Sequence, residues 1–243
     1  PALVGNDRRV LLSELSGRAN IMYKSKEFGL EIEPSNEKIG HLLDELKHLE
    51  SEGYSFEGAD ASFELLMLRT LGLTREHFNF VSFRVFDDKW HEDQAPFSEA
   101  VVIIEGPDGR RSRTSAIGNG PVNALDSALR RALVPYYPML ESMHLADYKV
   151  RVLDNGRGTG ARVRVLIEST DGKRRWGTVG VSANVVEASW QALIDSVEYK
   201  LHKDNAKPRV KTGAENGARP HRRRASRKES AAAKDLAGTR GAG

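Results

Sequence analysis

The 243-residue chain contains no cysteine, which excludes disulfide staples, thiolate metal ligands and thiol nucleophiles together. No apolar run approaches the ~20 residues that a membrane-spanning helix needs. The opening segment PALVGNDRRVLLSEL lacks the order of charged, apolar and small residues that marks a secretory signal. A cytoplasmic protein without membrane association is therefore expected. Aromatic residues make up only 7% of the chain, and none is interleaved with the basic run HRRRASRK at 221–228, so bases would have nothing to stack on. Also missing are the His-x-His and HExxH patterns of metal and metalloprotease sites.

A hydrophobic content of 39% over this length is enough for a substantial core. The formal net charge of +3 conceals an uneven distribution. Residues 203–243 hold 12 of the 37 basic residues and 4 of the 34 acidic ones, leaving 25 basic against 30 acidic in the rest. The high isoelectric point thus belongs to the end of the chain, and no specific nucleic-acid surface is expected on the domains. Residues 203–243, rich in Ala, Gly, Lys, Arg and Ser, bury too little to offset their ordering entropy and are expected to be a disordered basic tail.

The dominant pattern is an internal repeat. Residues 98–109 (SEAVVIIEGPDG) align with 161–172 (ARVRVLIESTDG), VSFRVFD at 81–87 with YKVRVLD at 148–154, and VNALDSAL at 122–129 with VEASWQAL at 186–193. Each copy reads as three strands and a helix, with Val81, Phe83 and Val85 alternating like Tyr148, Val150 and Val152, and with Val163, Val165 and Ile167 continuing the signal. Two such units, each too small to bury its own apolar faces, must pack together, and their seam is where a ligand can be held.

Ahead of the repeat, Ile39, Leu42, Leu43, Leu46 and Leu49 recur at helical spacing behind Ser35 and Asn36, and Gly53 stops that helix. A second helix, ASFELLMLRTLGL, is expected to bury Phe63, Leu66, Met67 and Thr70 on one face. The chain begins on Pro1 and enters a strand expected over RRVLLSEL, so a preceding domain is also expected. The fold class is α+β: a small helical linker module in residues 1–75, then a domain of two βββα repeats in 76–202.

Three features bear on chemistry. The pairs His41/Glu45 and Asp44/His48 have the i,i+4 spacing of metal ligands but flank an apolar stripe, the pattern of a solvated helix face. The glycine-rich NGRGTG at 155–160 leads into a strand, which favours a hairpin over a phosphate loop. GNGP at 118–121 and SANV at 182–185 are equivalent strand-to-helix turns, and the free amides of such helix starts suit an amino-acid carboxylate as well as a simple capped turn.

Five stretches, SELSGRANI (13–21), GYSFEGADASFELLML (53–68), GNGPVNALDSALRRAL (118–133), DYKVRVL (147–153) and WGTVGVSANVVEASWQALIDSVEYKL (176–201), together resemble the C-terminal part of the isopropylmalate and homocitrate synthase family, on its citramalate synthase branch. The resemblance covers about residues 1–202. It implies a metal-dependent (β/α)8 barrel that this chain lacks, a linker module here at 13–73, and a dimeric regulatory domain at 78–201. The divalent metal and the groups acting on pyruvate and acetyl-CoA would reside in the barrel, so neither cofactor nor catalytic residue is expected in this chain, which alone would be inactive. The resemblance places an effector among Val122, Asn123, Leu145, Tyr148, Val152, Thr159, Val163, Ala183 and Val185; relatives commonly have proline where this chain has Ala183. The implied effector is isoleucine, with leucine the alternative for an isopropylmalate synthase, and the implied partner is a second copy of the chain. A stand-alone amino-acid-binding module is the alternative outside the family.

Overall fold

The computed structural model describes residues 17–33, 37–153 and 161–209. Three helices come first, α1 (Arg18–Glu27), α2 (Lys38–Glu52) and α3 (Asp60–Leu71). Then come β1 (Asn79–Asp88), β2 (Phe97–Glu105), β3 (Arg111–Gly118) and α4 (Pro121–Leu133), a 3-10 turn at Pro138–Ser142, and β4 (His144–Leu153), β5 (Arg162–Thr170), β6 (Arg175–Ser182) and α5 (Val185–Lys203). The two sheets are antiparallel meanders, β1-β2-β3 and β4-β5-β6. This is the α+β arrangement of helical module and doubled βββα unit that the periodicities imply. The strand expected over RRVLLSEL, the cap residues Ser35 and Asn36, and the NGRGTG segment lie outside the described residues.

The helical module departs from its sequence pattern in two places. Helix α1 has no apolar stripe, because Ile21, Met22 and Tyr23 are consecutive; its burial comes from docking, with Ile21 fully enclosed and the Lys24 ammonium bonded to Asp60 (3.1 Å) and Glu27 (3.0 Å). Helix α3 buries most of its circumference, including Ala61, Ser62, Glu64, Leu65 and Leu68, where a single stripe was expected, and Leu66 and Thr70 are only half-buried. It is sandwiched between α2 and the second repeat, so it has no wholly solvated side. Helix α2 follows its pattern, burying Ile39, Leu42 and Leu46 and ending at Gly53 with φ 103°, a left-handed cap that glycine adopts without strain.

The repeat is real, but its structural register is displaced from the sequence alignment. Thr114 Oγ1 donates to the Ala128 carbonyl (2.7 Å) as Thr178 Oγ1 donates to Ala192 (2.8 Å), and these threonines face Val102 and Ile167 across the sheets. Val102 therefore corresponds to Ile167, two residues beyond Val165. Likewise the bulge at Val81 in β1 matches one at Ala146 in β4, which makes Phe83 the counterpart of Tyr148. A two-residue slip keeps every side chain on its own face, so hydrophobic alternation is blind to it. The bulges also invert the alternation: Phe80 and Phe83 both pack on Trp190 (4.9 and 5.2 Å), Val81 turns to solvent, and Leu145 and Tyr148 both face the core. Val150 and Val152, expected to continue the Tyr148 face inward, sit at an uncovered sheet edge and are exposed.

The two sheets differ in how they are covered. On the second, Trp176, Thr178, Val165 and Ile167 face α5, while Leu166, Gly177 and Val179 face the linker helices. A methyl built on Gly177 would overlap the Gly58 carbonyl oxygen, so only glycine allows the chain entering α3 to lie on β6. The corresponding positions of β3 are Arg113 and Ser115, both exposed. Lys200 closes the far end of α5 by bonding Asp171 (2.5 Å) and Asp204 (2.6 Å), and its ammonium holds the Asp171 carboxyl well below the usual carboxylate range. The packed domain also runs beyond residue 203, where the tail was expected to begin: Lys203 completes α5, Ala206 is buried, and the Arg209 amide donates to the Tyr136 carbonyl (2.9 Å).

Gly177→Ala is expected to destabilise the fold by about 2–3 kcal/mol through overpacking against backbone, read as a lower urea midpoint. Burial pushes the Tyr137 and Tyr199 hydroxyls up to about 12. Because the folded state holds these protons more tightly than the unfolded chain, their contribution is complete below pH ~10 and is lost as pH rises towards ~12. Tyrosinate absorbance at 295 nm should therefore develop in two steps, the second coinciding with loss of near-ultraviolet ellipticity.

Candidate functional site

The seam between the repeats contains a crevice of about 520 Å³, lined by Phe83 to Asp87 of β1 and by Asn184 and Val186 at the start of α5. One wall thus belongs to the first repeat and the other to the second. The helix start is already occupied by its own side chain: Asn184 Oδ1 accepts from the amides of Val186 (2.8 Å) and Glu187 (3.3 Å). The strand wall is polar at this end, where the Ser98 hydroxyl donates to the Asp87 carboxylate.

By the repeat register, β4 and the start of α4 are the counterparts of the two walls of this crevice, and we term their residues the second seam. Phe83, Val85 and Asp87 become Tyr148, Val150 and Val152; Ser98 becomes Val163; Asn184 and Val186 become Gly120 and Val122. The chemistry is inverted at each place that matters. Gly120 supplies no side-chain cap and Pro121 has no N–H, so the amides of Val122 and Asn123 carry no capping side chain. The Asp87/Ser98 pair is replaced by Val152 and Val163, which face each other across β4 and β5. An uncapped helix start opposite an apolar wall suits a small anion with a branched aliphatic body, whereas the first seam presents a carboxylate and a filled cap.

Most of the residues assigned to an effector fall on α4, β4 and β5, and of these the strand pairing brings together Val152 and Val163. Val122 and Asn123 begin α4, Tyr148 and Val152 lie on β4, and Val163 pairs with Val152. Tyr148 also reaches its own repeat's helix, its hydroxyl 2.9 Å from Ser189 Oγ. Leu145 is seven residues from Val152, ~23 Å along an extended strand, so the structure does not bring these two together within one chain. Ala183 and Val185 flank Asn184 at the first seam; they are exposed, and Val163 lies across from Ser182 in the neighbouring strand. Thr159 lies outside the described residues.

Sequence reasoning missed the joint between the linker helices and α5. A cavity of about 740 Å³ opens there, walled by Leu49, Tyr54, Phe56, Leu66, Phe80 and Trp190. Its polar groups bond one another: the Tyr54 hydroxyl donates to Gln191 Oε1 (3.0 Å), while Ser62 and Arg69 both bond Asp195 at 2.7 Å. His41 and Glu45 lie on its rim. Among the described residues, no group of three or more His, Asp or Glu side chains converges as a metal site. Nor is any described helix long and apolar enough to cross a membrane.

The doubled βββα unit with a helical segment docked on its second sheet has a counterpart in a known family: the profile of the LeuA allosteric (dimerisation) domain matches residues 57–201. The chain belongs to this family. Within it, similarity is graded. The chain is 56% identical over 203 residues to the (R)-citramalate synthase of Geobacter sulfurreducens, and 53% identical over 204 residues to that of Aquifex aeolicus, covering 84% of this chain and 38% of the relative in both cases. With the 2-isopropylmalate synthase of Oceanobacillus iheyensis, identity is 27% over 202 residues, 81% of this chain and 36% of the relative. The chain thus spans less than two fifths of the length of the curated relatives it matches.

The cap asymmetry between the two helix starts of this LeuA-type domain is directly measurable. Asn184→Ala is expected to cost about 1 kcal/mol, the usual value of an N-cap, whereas Gly120→Ala, at a start without a side-chain cap, should change stability by less than half as much in the same chemical denaturation assay.

Proposed function

We propose that this chain is the end-product-sensing and dimerising part of an (R)-citramalate synthase, and that its second seam binds isoleucine. The observation that carries the proposal is the difference between the seams: where the first has Asn184, Asp87 and Ser98, the second has Gly120, Val152 and Val163. In this reading the uncapped amides of Val122 and Asn123 take the carboxylate at the positive end of α4, and Val122, Val152 and Val163 surround the aliphatic side chain. Tyr148 closes the inner side of the pocket. Support for the citramalate branch comes from the identity gradient between the two kinds of relative.

The condensation of pyruvate with acetyl-CoA, and the divalent metal that would assist it, are assigned to the part of the relatives that lies beyond the aligned residues. The chain by itself is then expected to produce no citramalate. The effector assignment is open to leucine, because shifting one methyl group in an apolar pocket discriminates by only ~1–3 kcal/mol. Exposed Phe86, Trp90 and Ile117 are apolar surface available to a second copy in the proposed homodimer.

Titration calorimetry should show isoleucine binding more tightly than leucine; tight leucine binding with no isoleucine response would move the assignment to the isopropylmalate branch. Val152→Asp, at an exposed position, recreates the carboxylate of the first seam and should weaken isoleucine binding at least tenfold without unfolding the domain. Sedimentation should report a dimer at micromolar concentration, and a monomer there would refute the dimer assignment.

A further inference from the structure

The cavity of about 740 Å³ at the joint between the linker helices and α5 shares no lining residue with the crevice at the first seam. Three helices supply most of its wall. From α5 come Glu187, Gln191 and Asp195, four residues apart and therefore on one helix face. Helix α2 contributes His41, Glu45 and Leu49 at the same spacing, and α3 contributes Ser62, Leu66, Arg69 and Thr70. The volume is that of a whole small molecule, since ligand pockets run to roughly 300–1,000 Å³.

The body of the cavity is aromatic and aliphatic. Phe80 and Trp190 lie with ring centroids 4.9 Å apart, and Phe80 is still 45% exposed although it packs on a buried indole. Tyr54 and Phe56 form a second ring pair at 6.3 Å.

Its charges do not balance. Asp195 is satisfied, one carboxylate oxygen accepting from Ser62 and the other from Arg69, both at 2.7 Å, and this contact neutralises the arginine as well. Gln191 Oε1 is also engaged, accepting from the Tyr54 hydroxyl and from the Val181 amide, each at 3.0 Å. Two carboxylates are left over. Glu187 is half-buried and accepts a long bond from Gln191 Nε2 (3.4 Å), and among the described residues neither Glu187 nor Glu45 is in an ion pair. Burial pushes the Tyr54 hydroxyl above its ordinary value, and the negative charges of Asp195 and Glu187 add to the effect. An anion placed here would meet uncompensated negative charge. A cation is complementary to it, and aromatic ring faces add to the attraction.

We propose that this cavity is a binding site for a small organic cation, an amine whose charge is balanced by Glu187 and Glu45 and whose ring-bearing apolar body lies against Phe80, Trp190 and Leu66. The proposal does not depend on the effector reading, because none of the residues assigned to the effector lines the cavity. The same carboxylates disfavour 2-oxo acids and acyl-coenzyme A, which are anions, so the ligand is of a different class from the substrates of the proposed condensation.

The test uses three probes of one shape on the nitrogen-15-labelled 243-residue chain: the cation 2-phenylethylamine, the neutral 2-phenylethanol and the anion 3-phenylpropanoate. Affinity is read from the saturation of backbone amide and indole N–H shifts. The amine is expected to move the Trp190 indole signal and the amides of residues 187–195, and to bind about tenfold or more tightly than 3-phenylpropanoate, with the alcohol between them. Glu187→Gln and Glu45→Gln keep the side-chain shape and should each weaken the amine about threefold while leaving the alcohol within about twofold. Glu141→Gln, at an exposed position outside the lining, should alter neither. Absence of a saturable Trp190 shift at millimolar amine would overturn the proposal, as would equal binding of amine and carboxylate, or full amine affinity in both glutamate variants.

Discussion

The contact of the Gly58 carbonyl with β6 at Gly177 sets the terms for everything around it. Where two backbones meet without an intervening side chain, the linker can approach closely enough for Ser62 to accept from the Val179 amide (3.1 Å) and for Phe63 and Met67 to be fully enclosed. Fully burying such a side chain stabilises by roughly 1.5–3 kcal/mol, so the joint is held by apolar packing with the ion pairs at its margins. The second sheet is consequently covered on both sides over β5 and β6. Its strands must be apolar towards α5 and shaped for the linker on the other side, and this double demand is what separates the two repeats.

Duplication supplies two equivalent helix starts, and their residues have diverged. In the first, Asn184 satisfies its own helix start and Asp87 is held by Ser98, a closed arrangement in which the polar groups have partners. In the second, Gly120 and Pro121 leave amides uncapped opposite valines. A helix start without a cap is a small stability cost, and this difference is what the proposed effector site rests on. The second repeat also carries the linker on its outer face, where Arg162 and Arg164 bond the Glu52 and Gly53 carbonyls.

Much of this was legible in the chain. The strand and helix order, the stop at Gly53 and the two helix starts follow from periodicities of two and 3.6 and from glycine and proline at the punctuation points. Helix α1 was not legible, because its burial comes from docking and leaves no stripe. The repeat register was misread by two residues, since alternation repeats at that interval and the Asp-Gly turns sit at different distances from their strands. The two helix starts were legible, whereas Arg162 and Arg164 looked like ordinary exposed charges of an alternating strand. The regular placement of arginine on either side of Val163 was visible, but its meaning depended on what lay outside the sheet.

The sequence by itself determined the elements, their doubling and the chemical asymmetry of the two helix starts, because capping and alternation are decided by near neighbours in the chain. Only the tertiary structure decided that the linker lies on the second sheet alone, that Glu52 and Gly53 meet β5, and that inward-facing Val163 alternates with linker-bound Arg162 and Arg164 along one strand. Those facts depend on which surfaces lie within a few ångströms of each other across more than 100 residues of sequence, and local propensity carries no information at that separation.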